Sequence, residues 1–138
     1  MGVYLVGTDG SETASSAAER AAALARASGA SVHVVCAYHR GGTVISSGAS
    51  GYTESSLAAA ADIAEQLASR LRSGGLEATT SVAEGKPADV LLDTARELDA
   101  ELIVVGNRRM QGFSRVLGAI ANEIVHRAPC DVLLVKTT

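Results

Sequence analysis

Aromatic residues are scarce in this chain of 138 residues, where three tyrosines, one phenylalanine and no tryptophan make up 3% of the sequence. Hydrophobic residues nevertheless reach 47%. The core must therefore be built from small and branched aliphatic side chains, which favours helices packed closely on a sheet over a β-sandwich. The length suits one domain with a single sizeable core, and we assign residues 1–138 to one domain.

The chain also lacks an excess of positive charge. Its formal net charge is −3, and no basic run is interleaved with aromatic residues. This composition argues against general attraction to nucleic acid. Local basic character occurs only around Arg108, Arg109 and Arg115, and such a patch suits a small anionic ligand better than a polymer.

Further absences concern redox chemistry and membranes. Cys36 and Cys130 are the only cysteines and form no CxxC pair. Cys36 falls inside an apolar strand pattern, which favours a small buried side chain over a reactive thiol. The sequence shows no signal peptide and no apolar run near the roughly 20 residues that span a bilayer. We therefore expect a soluble, cytoplasmic protein without membrane contact.

Short apolar runs alternate with amphipathic stretches along the chain, which predicts alternating strands and helices. The predicted strands are 3–6, 31–37, 76–83, 101–105 and 132–135, and the third reads as lying near a sheet edge. The predicted helices run from a cap at Ser11 or Thr13 to a stop at Gly29, over 53–73, from Pro87 through Leu98, and over 114–126. Residues 39–52 are rich in glycine and serine and read as a mobile loop.

Several apolar positions are predicted to face the core from the first three helices. They are Ala17, Ala21, Leu24 and Ala25 in the first helix, Leu57, Ala61, Ala64, Leu67, Ala68 and Leu71 in the second, and Val90, Leu91, Ala95 and Leu98 in the third.

The alternation implies an α/β fold in which helices cover both faces of a parallel sheet. Right-handed crossovers favour a flavodoxin-like, three-layer sandwich with five strands in the order 3-2-1-4-5. Strands one and four are then neighbours, so the loops after Val6 and Val105 face one crevice, where ligands bind in such sheets. Asp9 lies near that crevice. Its carboxylate either accepts hydrogen bonds from an adenine amino group or a ribose hydroxyl, or organises the turn before the first helix.

The loop after strand four has features suited to phosphate. Gly106 allows a ligand to lie across the backbone, because no Cβ blocks its approach. Arg108 and Arg109 either contact phosphate oxygens or are solvated loop charges. Gly112 and Gly118 would let the loop fold back so that a helix begins beside the ligand. The spacing matches neither of the common glycine-rich phosphate motifs.

The sequence contains no recognisable catalytic set. His33 lies within a strand and reads as a structural side chain, and His126 near a helix end is explained by the helix dipole. His39 borders the loop and could approach a ligand, but it has no defined partner. Metal-ligand clusters, a nucleophile elbow and paired acidic groups are missing from the pattern. We therefore expect no enzyme, or at most a weak ATPase.

Three motifs carry a resemblance to a known family. They are Val6-Gly-Thr-Asp-Gly-Ser11, Glu84-Gly-Lys-Pro-Ala-Asp89, and the stretch from Ile103-Val-Val-Gly106 through Leu117-Gly118 to His126-Arg-Ala-Pro-Cys-Asp-Val-Leu-Leu-Val135. Together they span most of the chain, which resembles a universal stress protein domain. The resemblance implies a flavodoxin-like, adenine nucleotide alpha hydrolase-like fold, and a homodimer paired through strand 132–136.

In the ATP-binding branch of that family, adenine lies between the aspartate after strand one, here Asp9 beside Gly7 and Thr8, and the backbone after strand two, here about Ala37. Ribose and phosphates, with Mg where ATP is bound, are held by a loop of pattern G-x2-G-x9-G-[ST]. The positions that match this loop and its flanks are Gly106, Asn107, Arg108, Arg109, Gly112, Gly118, Ala119 and Ile120.

This sequence departs from the loop pattern at three places. Arg109 stands at the second glycine, the spacing to Gly118 is one residue short, and Ala119 replaces the hydroxyl residue. Loss of that hydroxyl removes a hydrogen bond to phosphate worth about 1–3 kcal/mol. Two functions therefore stay open. One is a stress-response regulatory protein that binds ATP, AMP or cyclic AMP, and the other is a nucleotide-free dimeric interaction module.

Overall fold

The computed structural model describes residues 2–39, 56–108 and 118–137. Within these ranges five strands alternate with four helices. The strands are β1 (Val3–Gly7), β2 (Ser31–Tyr38), β3 (Ala78–Glu84), β4 (Leu102–Arg108) and β5 (Asp131–Thr137). The helices are α1 (Glu12–Ser28), α2 (Ser56–Ser73), α3 (Pro87–Leu98) and α4 (Ala119–Arg127). Most of the predicted 39–52 loop and the start of the predicted 114–126 helix lie outside the described residues.

The strands form one parallel sheet in the order β3-β2-β1-β4-β5. The predicted topology is therefore confirmed, and β3 lies at an edge as expected. Val6 of β1 pairs with Val34 on one side and with Val104 on the other, so β1 and β4 are direct neighbours. Strand β4 continues three residues beyond its predicted end, because Gly106, Asn107 and Arg108 still pair with β5.

Local signals set the helix ends. Helix α1 begins after Ser11, whose hydroxyl accepts a hydrogen bond from the Ala14 N–H at 3.2 Å, and it ends at Gly29 with φ +83°. Helix α3 begins with Pro87 at its first position. It ends at Asp99, a non-glycine residue with φ +53°, where the sequence offered no glycine to mark the stop.

The core has two layers, one on each face of the sheet. Alternate strand residues such as Val6, Val34 and Val104 pack against α1 and α2 on one face. Leu5, Val35 and Ile103 point to the other face and contribute to a second core with α3 and α4. Alanines fill much of the buried surface of α1 and α2, so these helices lie close to the sheet, and Tyr4 and Tyr38 pack at the margin of this layer. The three-layer sandwich is therefore as predicted.

Four positions predicted to face the core are exposed instead. Leu24, Leu57 and Leu98 are 38%, 51% and 37% exposed, and Ala61 is also exposed. Each lies at the border of the apolar face of its helix. The part of each helix that the sheet covers is narrower than that apolar face, so residues at its border stay exposed. No helix within the described part of the chain is long and apolar enough to cross a membrane.

Candidate functional site

A crevice of about 500 Å³ opens at the carboxyl ends of β1 and β4. The chain leaves β1 toward α1 on one face of the sheet and leaves β4 toward α4 on the other, so the two loops separate there. The crevice extends across the end of β2 to the start of α3. Its volume lies within the roughly 300–1,000 Å³ that is usual for small-molecule sites.

The loop after β1 is held by its own side chains. The Thr8 N–H donates to the Val35 carbonyl at 3.0 Å, which extends the pairing with β2 by one residue. The Thr8 hydroxyl accepts from the Gly10 N–H at 3.0 Å, and Asp9 Oδ1 accepts from the Ser11 N–H at 2.9 Å. Asp9 thus organises the turn, which is one of its two predicted roles. A carboxylate has several acceptor sites, so one backbone bond leaves capacity for a ligand donor.

At its carboxyl end, β2 extends past the last residue of β1, so its backbone there has no neighbouring strand on that side. Successive residues of a strand in a parallel sheet turn their N–H and C=O groups alternately to the two neighbouring strands. The Val35 carbonyl is bonded on the β1 side, and the Tyr38 carbonyl accepts from Gly85 on the β3 side at 2.9 Å. Ala37 therefore points its backbone to the β1 side, beyond the point where β1 has ended at Gly7. Its N–H and its C=O both face the crevice. The C=O accepts from the Cys36 thiol at 3.7 Å and keeps a second lone pair for a ligand.

Cys36 lies beneath this backbone and is 1% exposed, so the prediction of a buried cysteine is confirmed. Burial raises the pKa of the Cys36 thiol to about 11, and the negative charge of Asp9 adds to the rise. The thiol is protonated at neutral pH and is therefore a poor nucleophile. Asp9 lines the same crevice as Cys36 and Ala37.

Helix α3 forms an apolar wall of the crevice through Pro87, Val90 and Leu91. A Cβ built on Gly7 would come within 2.9 Å of Leu91 Cδ1. The missing side chain at Gly7 therefore lets α3 pack against the end of β1. The family resemblance placed Gly7 beside Asp9 in the adenine site, and the structure adds this packing role.

The opposite end of the crevice is formed by Gly106 and by the start of α4. The Asn107 side chain accepts a hydrogen bond from the Gly118 N–H at 3.0 Å, which fixes the beginning of α4 beside the end of β4. Gly118 is the N-cap residue and supplies no side-chain cap, and the first turn of α4 contains no acidic residue. The N–H groups of that turn have no partner within the helix, and together with the helix dipole they give this end of the crevice positive character.

The structure brings six of the predicted site residues into the crevice wall, namely Gly7, Thr8, Asp9, Ala37, Gly106 and Ile120. Asn107 near the end of β4, and Gly118 and Ala119 at the start of α4, do not line the crevice wall. Arg108 ends β4. Arg109 and Gly112 lie outside the described residues.

Sequence reasoning assigned no ligand role to several other wall residues, among them Cys36, Tyr38, Gly85, Pro87 and Val90. Gly85 and Pro87 belong to a motif that signalled the family, so their spacing carried a usable signal. Val90 followed an ordinary helix-core pattern, and only the packing of α3 against β1 and β2 shows that it also borders the crevice. Among residues 2–39, 56–108 and 118–137, no three His, Cys, Asp or Glu side chains group in a way that could hold a metal ion.

The fold and the crevice define a flavodoxin-like α/β protein with a ligand crevice at the point where the strand order reverses. The sequence matches the model of the universal stress protein family over residues 3–136, and the chain belongs to that family.

Its relatives differ in how much of their length is matched. A universal stress protein of Mycobacterium tuberculosis is 32% identical over an alignment 145 positions long, which covers 97% of this chain and 95% of that relative. A match to the universal stress protein of Methanothermobacter thermautotrophicus is 39% identical but spans only 39% of this chain and 37% of that relative.

Solved structures agree with the fold over nearly the whole chain. A universal stress protein in complex with cAMP is 30% identical with a TM-score of 0.77, and 99% of this chain and 98% of that one are covered. The universal stress protein from Archaeoglobus fulgidus in complex with dAMP is 25% identical with a TM-score of 0.74, at 99% and 98% coverage.

Proposed function

We propose that this universal stress protein binds an adenine nucleotide in the crevice and acts as a regulatory binding protein of the stress response in the cytoplasm. The observation that carries the proposal is the joint arrangement of Asp9, the Ala37 backbone and the start of α4 around one apolar crevice. Related structures with cAMP and dAMP support the same ligand class.

The adenine ring fits the end of the crevice at β2. The Ala37 N–H would donate to a ring nitrogen, and its C=O would accept from the amino group of the base. The Asp9 carboxylate beside them would accept from a ribose hydroxyl or from the amino group. Val90 and Leu91 supply an apolar surface against which the ring can pack. These contacts select adenine by backbone polarity, so they need no particular side chain at position 37.

The phosphate fits the end at Gly106 and α4. Free N–H groups at a helix N-terminus bind anions, and the dipole of α4 adds favourable charge there. Ala119, the first residue of α4, provides no hydroxyl for an additional hydrogen bond. We therefore expect AMP and cyclic AMP, which carry one phosphate, to bind at least as well as ATP. Mg would accompany ATP through its phosphate oxygens.

Calorimetric titration with adenosine, AMP, cyclic AMP and ATP tests this proposal, with GMP as the control for base selection. We expect heat of binding with the adenine ligands and a weaker response to GMP. Absence of heat from all four adenine ligands at millimolar concentration would overturn the proposal. Slow phosphate release from ATP that disappears in Asp9→Ala would add a weak ATPase activity to the binding function.

The second candidate is a nucleotide-free interaction module. The observations that favour it are Arg109 in place of a glycine and Ala119 in place of a hydroxyl residue. Nucleotide released from the purified protein by denaturation and identified by mass would count against it.

A homodimer is part of both candidate functions. Strand β5 lies at a sheet edge, and its apolar residues Val132, Leu133 and Leu134 are only partly buried. An edge strand of this kind is a template for pairing with a second copy. Light scattering at micromolar concentration should give the mass of a dimer, and a monomer mass would refute this pairing.

A further inference from the structure

A polar cluster on the sheet lies outside the wall of the crevice, although Ser81 pairs in register with Val35 of that wall. The imidazole of His33 in β2 lies between two hydroxyl groups of the neighbouring strand β3. His33 Nδ1 is 2.6 Å from Thr79 Oγ1, and His33 Nε2 is 2.8 Å from Ser81 Oγ. His33 pairs in register with Thr79, so the three side chains project from the same face of the sheet.

The cluster is buried at its base and open at its edge. His33 is only 7% exposed, whereas Ser81 is half-buried and Thr79 is exposed. Helix α3 packs over β1 and β2 on this face, and β3 is the edge strand of the sheet. The hydroxyl groups are therefore reachable from solvent while the imidazole is held in place.

The state of His33 suits a proton acceptor. Burial lowers the pKa of the imidazole below 6.5, so it is neutral at physiological pH. A neutral imidazole carries a proton on one nitrogen and a lone pair on the other. With the proton on Nδ1 and donated to Thr79 Oγ1, the lone pair on Nε2 accepts the hydrogen bond from the Ser81 hydroxyl.

We propose that Ser81 is a nucleophile that His33 activates as a general base and Thr79 orients, and that it accepts an acyl group from an activated ester. A hydroxyl within hydrogen-bond reach of a base whose other nitrogen is held by a third group is the arrangement of activated nucleophiles. The ligand class is a small acyl group bonded to a good leaving group. The proposal is independent of nucleotide binding.

The acyl transfer requires only Ser81, His33 and the activated ester. The Ser81 oxygen forms a bond to the acyl carbon while its proton passes to His33 Nε2. The bond between the acyl carbon and the leaving oxygen breaks, and that oxygen keeps the electron pair. The proton on Nε2 then passes to the leaving group or to solvent, which restores the neutral imidazole. The product is an ester of Ser81.

Incubation with p-nitrophenyl acetate, followed by intact mass and peptide mapping, tests the proposal. We expect one acetyl group at Ser81, none at that position in Ser81→Ala, and unchanged labelling in Ser69→Ala, a control serine on α2. General-base catalysis contributes roughly 100-fold or more, so His33→Gln should slow labelling by about that factor. Acetyl groups found on lysines instead, or absence of any adduct, would overturn the proposal.

A second measurement distinguishes activation of Ser81 by His33 from a purely structural role of His33. As the pH rises, His33 loses its proton, so the labelling rate should increase and should reach its plateau before pH 6.5. Thr79→Val leaves both reacting groups in place but removes the acceptor for Nδ1–H, and we expect slower labelling at every pH. Circular dichroism of each variant establishes that it is folded. If His33→Gln fails to fold, the labelling rate of Thr79→Val and the pH profile of the unsubstituted protein test the proposal instead. A labelling rate that changes neither with Thr79→Val nor with pH contradicts it.

Discussion

Asp9 connects the turn after β1 to the adenine end of the crevice, and two substitutions separate these roles. Asp9→Asn keeps an Oδ1 atom that accepts from the Ser11 N–H, a bond of 2.9 Å in the structure. It removes the negative charge and replaces the second carboxylate oxygen with an NH2 group, which donates instead of accepting. Asp9→Ala removes both the charge and the acceptor, so the Ser11 N–H loses its partner as well.

The expected magnitudes follow from the strength of the bonds. A hydrogen bond to a charged group contributes about 1.5–3 kcal/mol and a neutral one about 0.5–1.5 kcal/mol. Asp9→Asn should therefore raise the Kd for AMP by roughly fivefold to tenfold, and Asp9→Ala by roughly tenfold to a hundredfold. Adenosine should lose affinity by the same factors, because Asp9 lies at the end of the crevice away from α4.

Calorimetric titration of each variant with adenosine and AMP measures these changes. A thiol titration in a Cys130→Ser background adds an internal control. Removing the charge of Asp9 should lower the pKa of the Cys36 thiol from about 11, while burial keeps it above its ordinary value. Unchanged affinities in both variants, together with a lowered thiol pKa, would refute the assignment of Asp9 to the ligand. A changed affinity for AMP but not for adenosine would place Asp9 at the wrong end of the crevice.

Three further predictions concern stability and the phosphate end. Burial lowers the pKa of His33 below the 6.5 of the unfolded chain, so the unfolded chain takes up this proton first as the pH falls. The stability that neutral His33 contributes is complete above pH 6.5 and is lost as the pH falls toward the folded pKa. When the pH is lowered over this range, the urea midpoint of His33→Gln should therefore drop less than that of the unsubstituted protein. Gly7→Ala brings a Cβ within 2.9 Å of Leu91, and should cost about 1–3 kcal/mol in urea unfolding, whereas Gly118→Ala, with 3.8 Å to its nearest contact, should cost less. If both variants unfold at the same urea concentration, the packing argument fails. Ala119→Ser restores a hydroxyl at the start of α4, and should tighten AMP and ATP by about tenfold without affecting adenosine; equal tightening of adenosine would contradict a phosphate contact.

The order of the sheet was predictable because it depends on the spacing of apolar runs. Buried parallel strands such as 31–37 need continuous apolar sequence, and short right-handed connections leave few topologies. Helix ends with strong local signals, such as Ser11, Gly29 and Pro87, were also predictable. The end of α3 at Asp99 was not, because the left-handed backbone there carries no glycine.

Burial at the borders of the helices required the tertiary structure. Leu57 and Leu98 belong to apolar stripes that the sequence shows clearly, yet both are exposed. Hydrophobic periodicity gives the direction of a helix face, whereas the width of the buried strip depends on how far the sheet extends beneath it. The sequence pattern of a helix does not show how far the sheet reaches beneath it.

By itself, the sequence determined the fold, the family and the position of the crevice, because strand spacing and the motif after β1 are local in the chain. Only the tertiary structure decided what individual residues do. Gly7 makes room for Leu91, which lies more than 80 residues away in sequence. Asn107 holds the start of α4, and His33 meets the hydroxyls of Thr79 and Ser81 across two strands. These contacts join residues that are distant in sequence, so their roles depend on register and packing that no local pattern encodes.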